Sequence, residues 1–206
     1  MLDFLLAFSS PASSLAMQAM NFREQSPQSL SGSILLSHPS LRDPNFLRSI
    51  VFLSTHSKET GTLGVIINRP MGKTLAELDS SFMDNPLSST PVYDGGPVEK
   101  DKLIIAAWEW LDSPHSFKLH FGIDMTRAVT IHTSNPQADL VCFAGHSGWS
   151  PGQLENELEE DAWVVSTLDK ETFSHREDHS LWKNILGNIS DELRFLADSP
   201  EDPSFN

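Results

Sequence analysis

Short apolar runs of strand length, each closed by turn residues, constrain this chain more than any other feature. They are Ile34-Leu35-Leu36, the centre of Ser49–Ser54, Thr62–Ile67, Leu103–Trp108 and Leu140–Ala144. Runs this short suit buried strands, because a helix buried to the same degree spans about ten residues or more. Leu140-Val-Cys-Phe-Ala144 has no polar member, which marks a central strand covered on both faces. Weaker strand patterns follow at Phe117–Phe121, Ala128–Thr133 and Ala162–Val165. The runs never merge into about 18 apolar residues, so no membrane-spanning helix is expected.

Helix signals lie between the runs. Thr74 and Glu77 have capping-box spacing ahead of Leu75 and Leu78. Ser150-Pro151-Gly152-Gln153 offers a cap, a proline at the first helical position and a closing glutamine. Ser174 and Glu177 repeat the box spacing before a helix carrying Leu181, Trp182, Ile185 and Leu186, with Gly187 as its expected end and Asp191–Ala197 as one more helix. Residues 84–97 read as loop, closing on Asp94-Gly95-Gly96-Pro97. With no internal repeat and no central linker, residues 31–206 form one α/β domain, and 1–30 form a flexible leader or an over-extended start. The apolar stretch Phe4–Phe8 is short for a signal peptide and has Asp3 where a basic residue belongs, so the expected location is the cytoplasm.

Charge narrows the partners. Residues 1–102 carry 8 bases and 10 acids, whereas 103–206 carry 6 bases and 18 acids, giving the chain a net charge of −14. Such a surface repels phosphate backbones, so nucleic acid is not expected as a partner. The single cysteine, Cys142, excludes an internal disulfide and a cysteine-rich zinc site. His175 and His179 stand four apart on an expected helix, yet Arg176-Glu177-Asp178 between them breaks the zinc-protease pattern. No metal and no cofactor are expected.

Several constellations could carry chemistry. Gly145-His146-Ser147-Gly148-Trp149 joins a strand to a helix start, where free backbone N–H groups favour anions. A nucleophile elbow would need glycine at position 149, and the acids Glu155–Asp161 oppose an anion and read as a solvated helix face. Asp43 and Arg48 lie across a turn, so the guanidinium pairs internally or meets a ligand's carboxylate. Asn68-Arg69-Pro70 ends a strand nearby, and two arginines at neighbouring strand ends make a local positive spot. Gly95-Gly96-Pro97 implies backbone geometry closed to residues with a Cβ. Trp110 and Trp149 are the tryptophans expected at an exposed contact.

Taken in order, these strings resemble one family. Gly32-Ser-Ile-Leu-Leu36, Asp43-Pro-Asn-Phe46, Arg48-Ser-Ile-Val51, His56, Gly64-Val-Ile-Ile-Asn68-Arg-Pro70, Gly95-Gly-Pro97, Gly145-x-x-Gly-Trp149, Gly152-Gln-Leu-Glu-x-Glu157 and Ala162-Trp163 recur in the YqgE/AlgH family of bacterial proteins. The resemblance runs from about Ser31 to Pro200–Ser204. Thr55 and His146-Ser147 depart from residues common in that family.

The resemblance implies a mixed α+β domain, with a bent sheet forming a pseudo-barrel and helices packed outside. It implies no known reaction, and the AlgH name carries an association with transcriptional regulation. The expected function is a small-ligand or protein-binding module, with any regulatory effect indirect. Its face combines Asp43, Arg48, His56, Asn68, Arg69, Gly95, Gly96, Gly145, His146, Gly148, Trp149 and Gln153. The alternatives are a hydrolase using His56 or His146 as general base, and a transcriptional regulator.

Overall fold

The computed structural model describes residues 20–22 and 29–198. Its strands are β1 (Met20–Phe22), β2 (Ser33–Ser37), β3 (Ile50–Ser57), β4 (Gly61–Ile66), β5 (Pro70–Thr74), β6 (Pro91–Asp94), β7 (Val98–Trp110), β8 (Phe117–Phe121), β9 (Asp139–Trp149) and β10 (Trp163–Thr167). The helices are α1 (Leu75–Leu78), α2 (Met125–Ser134), α3 (Gln153–Glu159), α4 (Lys170–Ser174), α5 (Leu181–Ile189) and α6 (Asp191–Asp198), with one 3-10 turn at Ser80–Phe82.

The main path of the sheet runs β1-β8-β7-β9-β4-β3-β2-β10, with β6 beside β9 and β5 beside β6. β9 is central, as its apolar run requires. One edge pairs with β7, while the other pairs first with β6, the sheet's parallel ladder, and then with β4. The change of partner falls at Gly145, whose φ of +73° suits glycine. There the sheet bends into two halves that share one inner core.

Aromatic contacts measure the curl. Phe52 on β3 and Phe117 on β8 are four strand spacings apart along the sheet, about 19 Å if it were flat. Their rings stand 6.0 Å apart. Trp108 on β7 meets Phe52 at 5.3 Å and Phe173 of α4 at 4.6 Å. The inner core gathers Ile34, Leu36, Phe52, Val65, Tyr93, Trp108 and Phe143, and Phe173, Trp182 and Leu186 close it from α4 and α5. On the outer side, α1 and α2 cover Ile105, Ala107 and Cys142. α3 covers Leu35, Val51 and Ile66 there. The fold is thus mixed α+β with a strongly bent sheet. No ladder joins β1 to β10, so the curl stays open.

Some local expectations change. Ala128–Thr133 lies inside α2 rather than a strand. The Ser174–Glu177 box starts no helix, because α4 ends at Ser174 and α5 begins at Leu181. His175 and His179 therefore do not share a helix. Gly187 lies within α5, which continues to Ile189. There a Cβ would come within 2.9 Å of Arg194 Nε, so the glycine admits α6. Ser150–Gln153 forms a turn with Gly152 at φ +74°, closed by Gln153 N–H to the Ser150 carbonyl at 3.0 Å; α3 starts at Gln153, whose side-chain oxygen accepts from Ser150 N–H at 3.0 Å as the expected closing glutamine. Residues 84–97 contain β6. The Thr74 box does form, with the Glu77 carboxylate accepting from the Thr74 N–H at 2.7 Å and its hydroxyl at 3.0 Å. The leader and the stretch Pro200–Ser204 lie largely or wholly outside the described residues.

Candidate functional site

The glycines of the two central motifs meet at the bend in β9. A Cβ on Gly95 would stand 2.3 Å from the Gly145 carbonyl oxygen, and one on Gly96 would stand 2.5 Å from the His146 carbonyl. A Cβ on Gly145 would meet the Gly96 and Val98 carbonyls at 2.7 and 2.8 Å. Backbone therefore fills this crossing, and the residues next to it are locked in turn. Gly95 N–H donates to the Ala144 carbonyl at 2.9 Å. Ser147 is fully buried and donates its hydroxyl to the Gly95 carbonyl at 3.2 Å. That hydroxyl has no access to a substrate.

Beside the crossing the surface opens. β7 and β9 are in register at Val98↔His146 and again at Leu103↔Ala144, so the segment between forms a wide bulge. Glu99 in the bulge has φ +50°, uncommon for a residue with a Cβ. Lys102 reaches Glu99 at 2.5 Å, and Lys100 reaches Asp94 at 3.8 Å. Val98 and Leu103 are 38% and 37% exposed. His146 is half-buried. Burial pushes its pKa below the ordinary imidazole value, with Glu99 opposing and Lys102 adding to the effect. It is therefore mostly neutral near pH 7. Gly148 is exposed, and a Cβ there would meet only the His146 ring, at 3.9 Å.

Asn68 and Arg69 work as a clamp on the loop before β3. Asn68 Oδ1 accepts from Ile50 N–H at 2.8 Å, and its amide donates to the Arg48 carbonyl at 2.9 Å. Arg69 donates to the carbonyls of Asn45 and Leu47 at 2.7 and 3.0 Å and feels the carboxylates of Asp94 and Asp43. Asp43 itself accepts from Asn45 N–H at 2.8 Å and shapes the same loop. Arg48 has φ +52° and lies 5.8 Å over the Trp182 ring. Arg69 thus holds the loop before β3, while Arg48 lies against Trp182.

Trp149, Gln153 and His56 gather just beyond Gly148, where β9 ends. The Glu157 carboxylate accepts from the indole N–H groups of Trp149 and Trp163 at 2.8 and 2.7 Å, and from Gln153 at 2.9 Å. Trp149, expected at the surface, is only 5% exposed, and its ring packs against Trp163 at 5.8 Å and Phe46 at 6.2 Å. His56 Nδ1 accepts from Leu30 N–H at 3.1 Å, so the neutral ring carries its proton on Nε2. That nitrogen lies 3.2 Å from Glu155 Oε1. Glu157, expected on a solvated face, is the hub of this region.

Two further polar clusters escaped the sequence reading. His120, 3% exposed, pairs with Glu109, which also accepts from Lys118 at 3.3 Å and Asn135 at 3.2 Å. Tyr93 donates to Glu177 at 2.5 Å while Arg176 stacks on Phe173 at 4.2 Å. The first depends on β7–β8 register and the second on how α4 caps the inner core, so neither has a signature in residue spacing. Cys142 is packed under α1 and α2, and burial pushes its thiol up to about 12, which keeps it unreactive.

The molecule is therefore a mixed α+β domain whose polar motifs mostly tie loops and helices to an open, curled sheet. Residues 34–194 match the AlgH-like family, and the chain belongs to it. A UPF0301 protein of Streptomyces avermitilis is 34% identical over 186 residues, spanning 86% of this chain and 96% of its own. One from Chromohalobacter salexigens is 36% identical over 149 residues, spanning 67% and 79%. Among solved structures, the AlgH protein of Pseudomonas aeruginosa superposes with a TM-score of 0.61 at 23% identity, covering 87% of this chain and 99% of that one. A Corynebacterium diphtheriae protein gives 0.62 at 20% identity, covering 86% and 95%. These structures share the fold.

Proposed function

We propose that this protein is a binding module that meets a protein partner through the bulge Val98–Leu103 and the adjoining His146 and Gly148. The observation that carries this reading is the bulge itself. It holds Glu99 in a strained conformation, flanks it with exposed Val98 and Leu103, and sets it against a half-buried histidine. Backbone strain, bulges and exposed apolar side chains concentrate where proteins make contacts. The glycine crossing beside it is filled by backbone, which favours a partner lying on the surface over a small ligand entering it. The net charge of −14 favours protein over nucleic acid. Any regulatory effect passes through that partner. The hydrolase alternative, with His56 or His146 as general base, finds no accessible nucleophile in the neighbouring Ser147, which is buried and bonded to the Gly95 carbonyl.

A photo-crosslinking residue at position 103 tests the reading, with position 130 on the exposed face of α2 as control. The expected result is one discrete adduct from Leu103 in extract of the source cells, none from Thr130, and loss of the adduct in a Gly148→Arg background. Equal adducts from both positions, or none from Leu103, overturn it.

A further inference from the structure

β10 is an edge strand whose outer side is unguarded. It pairs with β2 alone, in continuous antiparallel register from Trp163↔Ser37 to Thr167↔Ser33. The Ala162 carbonyl accepts from His38 N–H at 2.9 Å, which fixes the phase of the ladder. Val164 and Ser166 turn their backbone groups toward β2, so Trp163, Val165 and Thr167 turn theirs outward. No described residue answers these outward N–H and C=O groups. Exposed edges are usually blunted by charge, proline or a bulge. Trp-Val-Val-Ser-Thr has none of these, and Val165 is 40% exposed.

Charge at the strand ends selects the occupant. Exposed Glu159, Glu160 and Asp161 precede β10, and Asp169, Lys170 and Glu171 follow it. A second copy paired antiparallel about Val165 would bring the Glu160-Asp161 approach to each β10 toward the Asp169-Lys170-Glu171 exit from the other. Lys170 is the one base among those five residues. Like charges so placed oppose self-pairing. Basic residues on both flanks of an incoming strand would instead meet the acids at either end.

We propose that β10 docks an extended segment of a partner protein, with a β-branched centre and lysine or arginine on each flank, added as an antiparallel strand. This site is independent of the bulge surface, and either can fail without the other.

The test uses the full chain and a fluorescent synthetic peptide with a Val-Thr-Val-Thr-Val centre between two pairs of lysines, read by anisotropy. A second peptide carries glutamates in place of the lysines. Val165→Pro removes an outward donor but no bond to β2, so it preserves the fold by circular dichroism. Val165→Lys keeps the backbone donor and repels the basic peptide. The expected result is saturable binding of the lysine peptide that weakens by about tenfold or more with the glutamate peptide and with each variant. Absent binding, equal binding of both peptides, or full affinity in the folded Val165→Pro chain overturns the proposal. A dimer mass in sedimentation that Val165→Pro abolishes also overturns it, because the edge would then belong to a second copy.

Discussion

Two carboxylates on the outer side of the sheet gather three donors each, and they differ in what those donors are. Glu157 receives two indole N–H groups and an amide, and knits β9, β10 and α3 together. Glu109 receives His120, Lys118 and Asn135, and knits β7, β8 and the end of α2 together. The indoles and the amide carry no titrating proton, whereas histidine and lysine do. Glu157 is thus an element of packing, fixing where two tryptophans sit. Glu109 is an element of electrostatics, whose worth follows the charge around it.

The largest expected effect falls on the first hub. Glu157→Ala leaves Trp149, Trp163 and Gln153 without their acceptor, with both indoles buried. The cost is on the order of 3–5 kcal/mol, a fall in Tm of about 10 °C. Thermal denaturation followed by circular dichroism checks it, and a wild-type melting curve would break the contrast. Glu109→Ala costs less, about 1–2 kcal/mol, because the carboxylate and Lys118 are 23% and 33% exposed and solvent replaces part of what is lost.

The smallest effect is the most diagnostic. Burial alone would raise the Glu109 pKa, but hydrogen bonds from His120, Asn135 and Lys118 outweigh it and leave the carboxyl below its ordinary range. A lowered folded-state value contributes stability that is present above the unfolded value of about 4.3 and lost as pH falls through the folded one. Between pH 5 and pH 3, wild type should therefore lose more stability than Glu109→Gln, by about 1 kcal/mol or less, read as a Tm difference of about 2–4 °C at most. Parallel curves for the two proteins would remove Glu109 as an electrostatic element.

The strands were legible because their apolar runs are short and cleanly bounded, and Leu140–Ala144 announced the centre of the sheet. Ala128–Thr133 misled because Val129, Thr130, Ile131 and Thr133 are β-branched and favour strands locally. Tertiary and capping terms decided otherwise. Asp124 accepts from Arg127 N–H at 2.8 Å, Ala128 and Ile131 make one buried stripe, and the hydroxyls of Thr130 and Thr133 bond back to carbonyls four residues earlier. The Ser174–Glu177 spacing was empty because the Glu177 carboxylate goes to the Tyr93 hydroxyl.

At the candidate site, Gly95-Gly96 read as backbone geometry closed to a Cβ; Gly96 has a φ of +141°, and the crowding of both glycines by the Gly145 and His146 backbone was not foreseen. The role of Asn68 and Arg69 as a clamp was half visible, since their place at a strand end suggested proximity to Asp43 without showing which groups they would meet. Glu157 was missed because one acid among several on α3 carries no mark of which way it faces. A glutamate spaced between Trp149 and Trp163 was the available clue.

The closure of the inner core by α4 and α5 has a consequence for biosynthesis. Phe173, Trp182 and Leu186 leave a ribosome after every strand residue they cover. At about 5–20 residues per second, the concave apolar face waits several seconds for its cover. A nascent chain stalled near Leu168 would present Phe52, Trp108 and Phe143 with their C-terminal lid missing, the kind of surface that chaperones hold and proteases find.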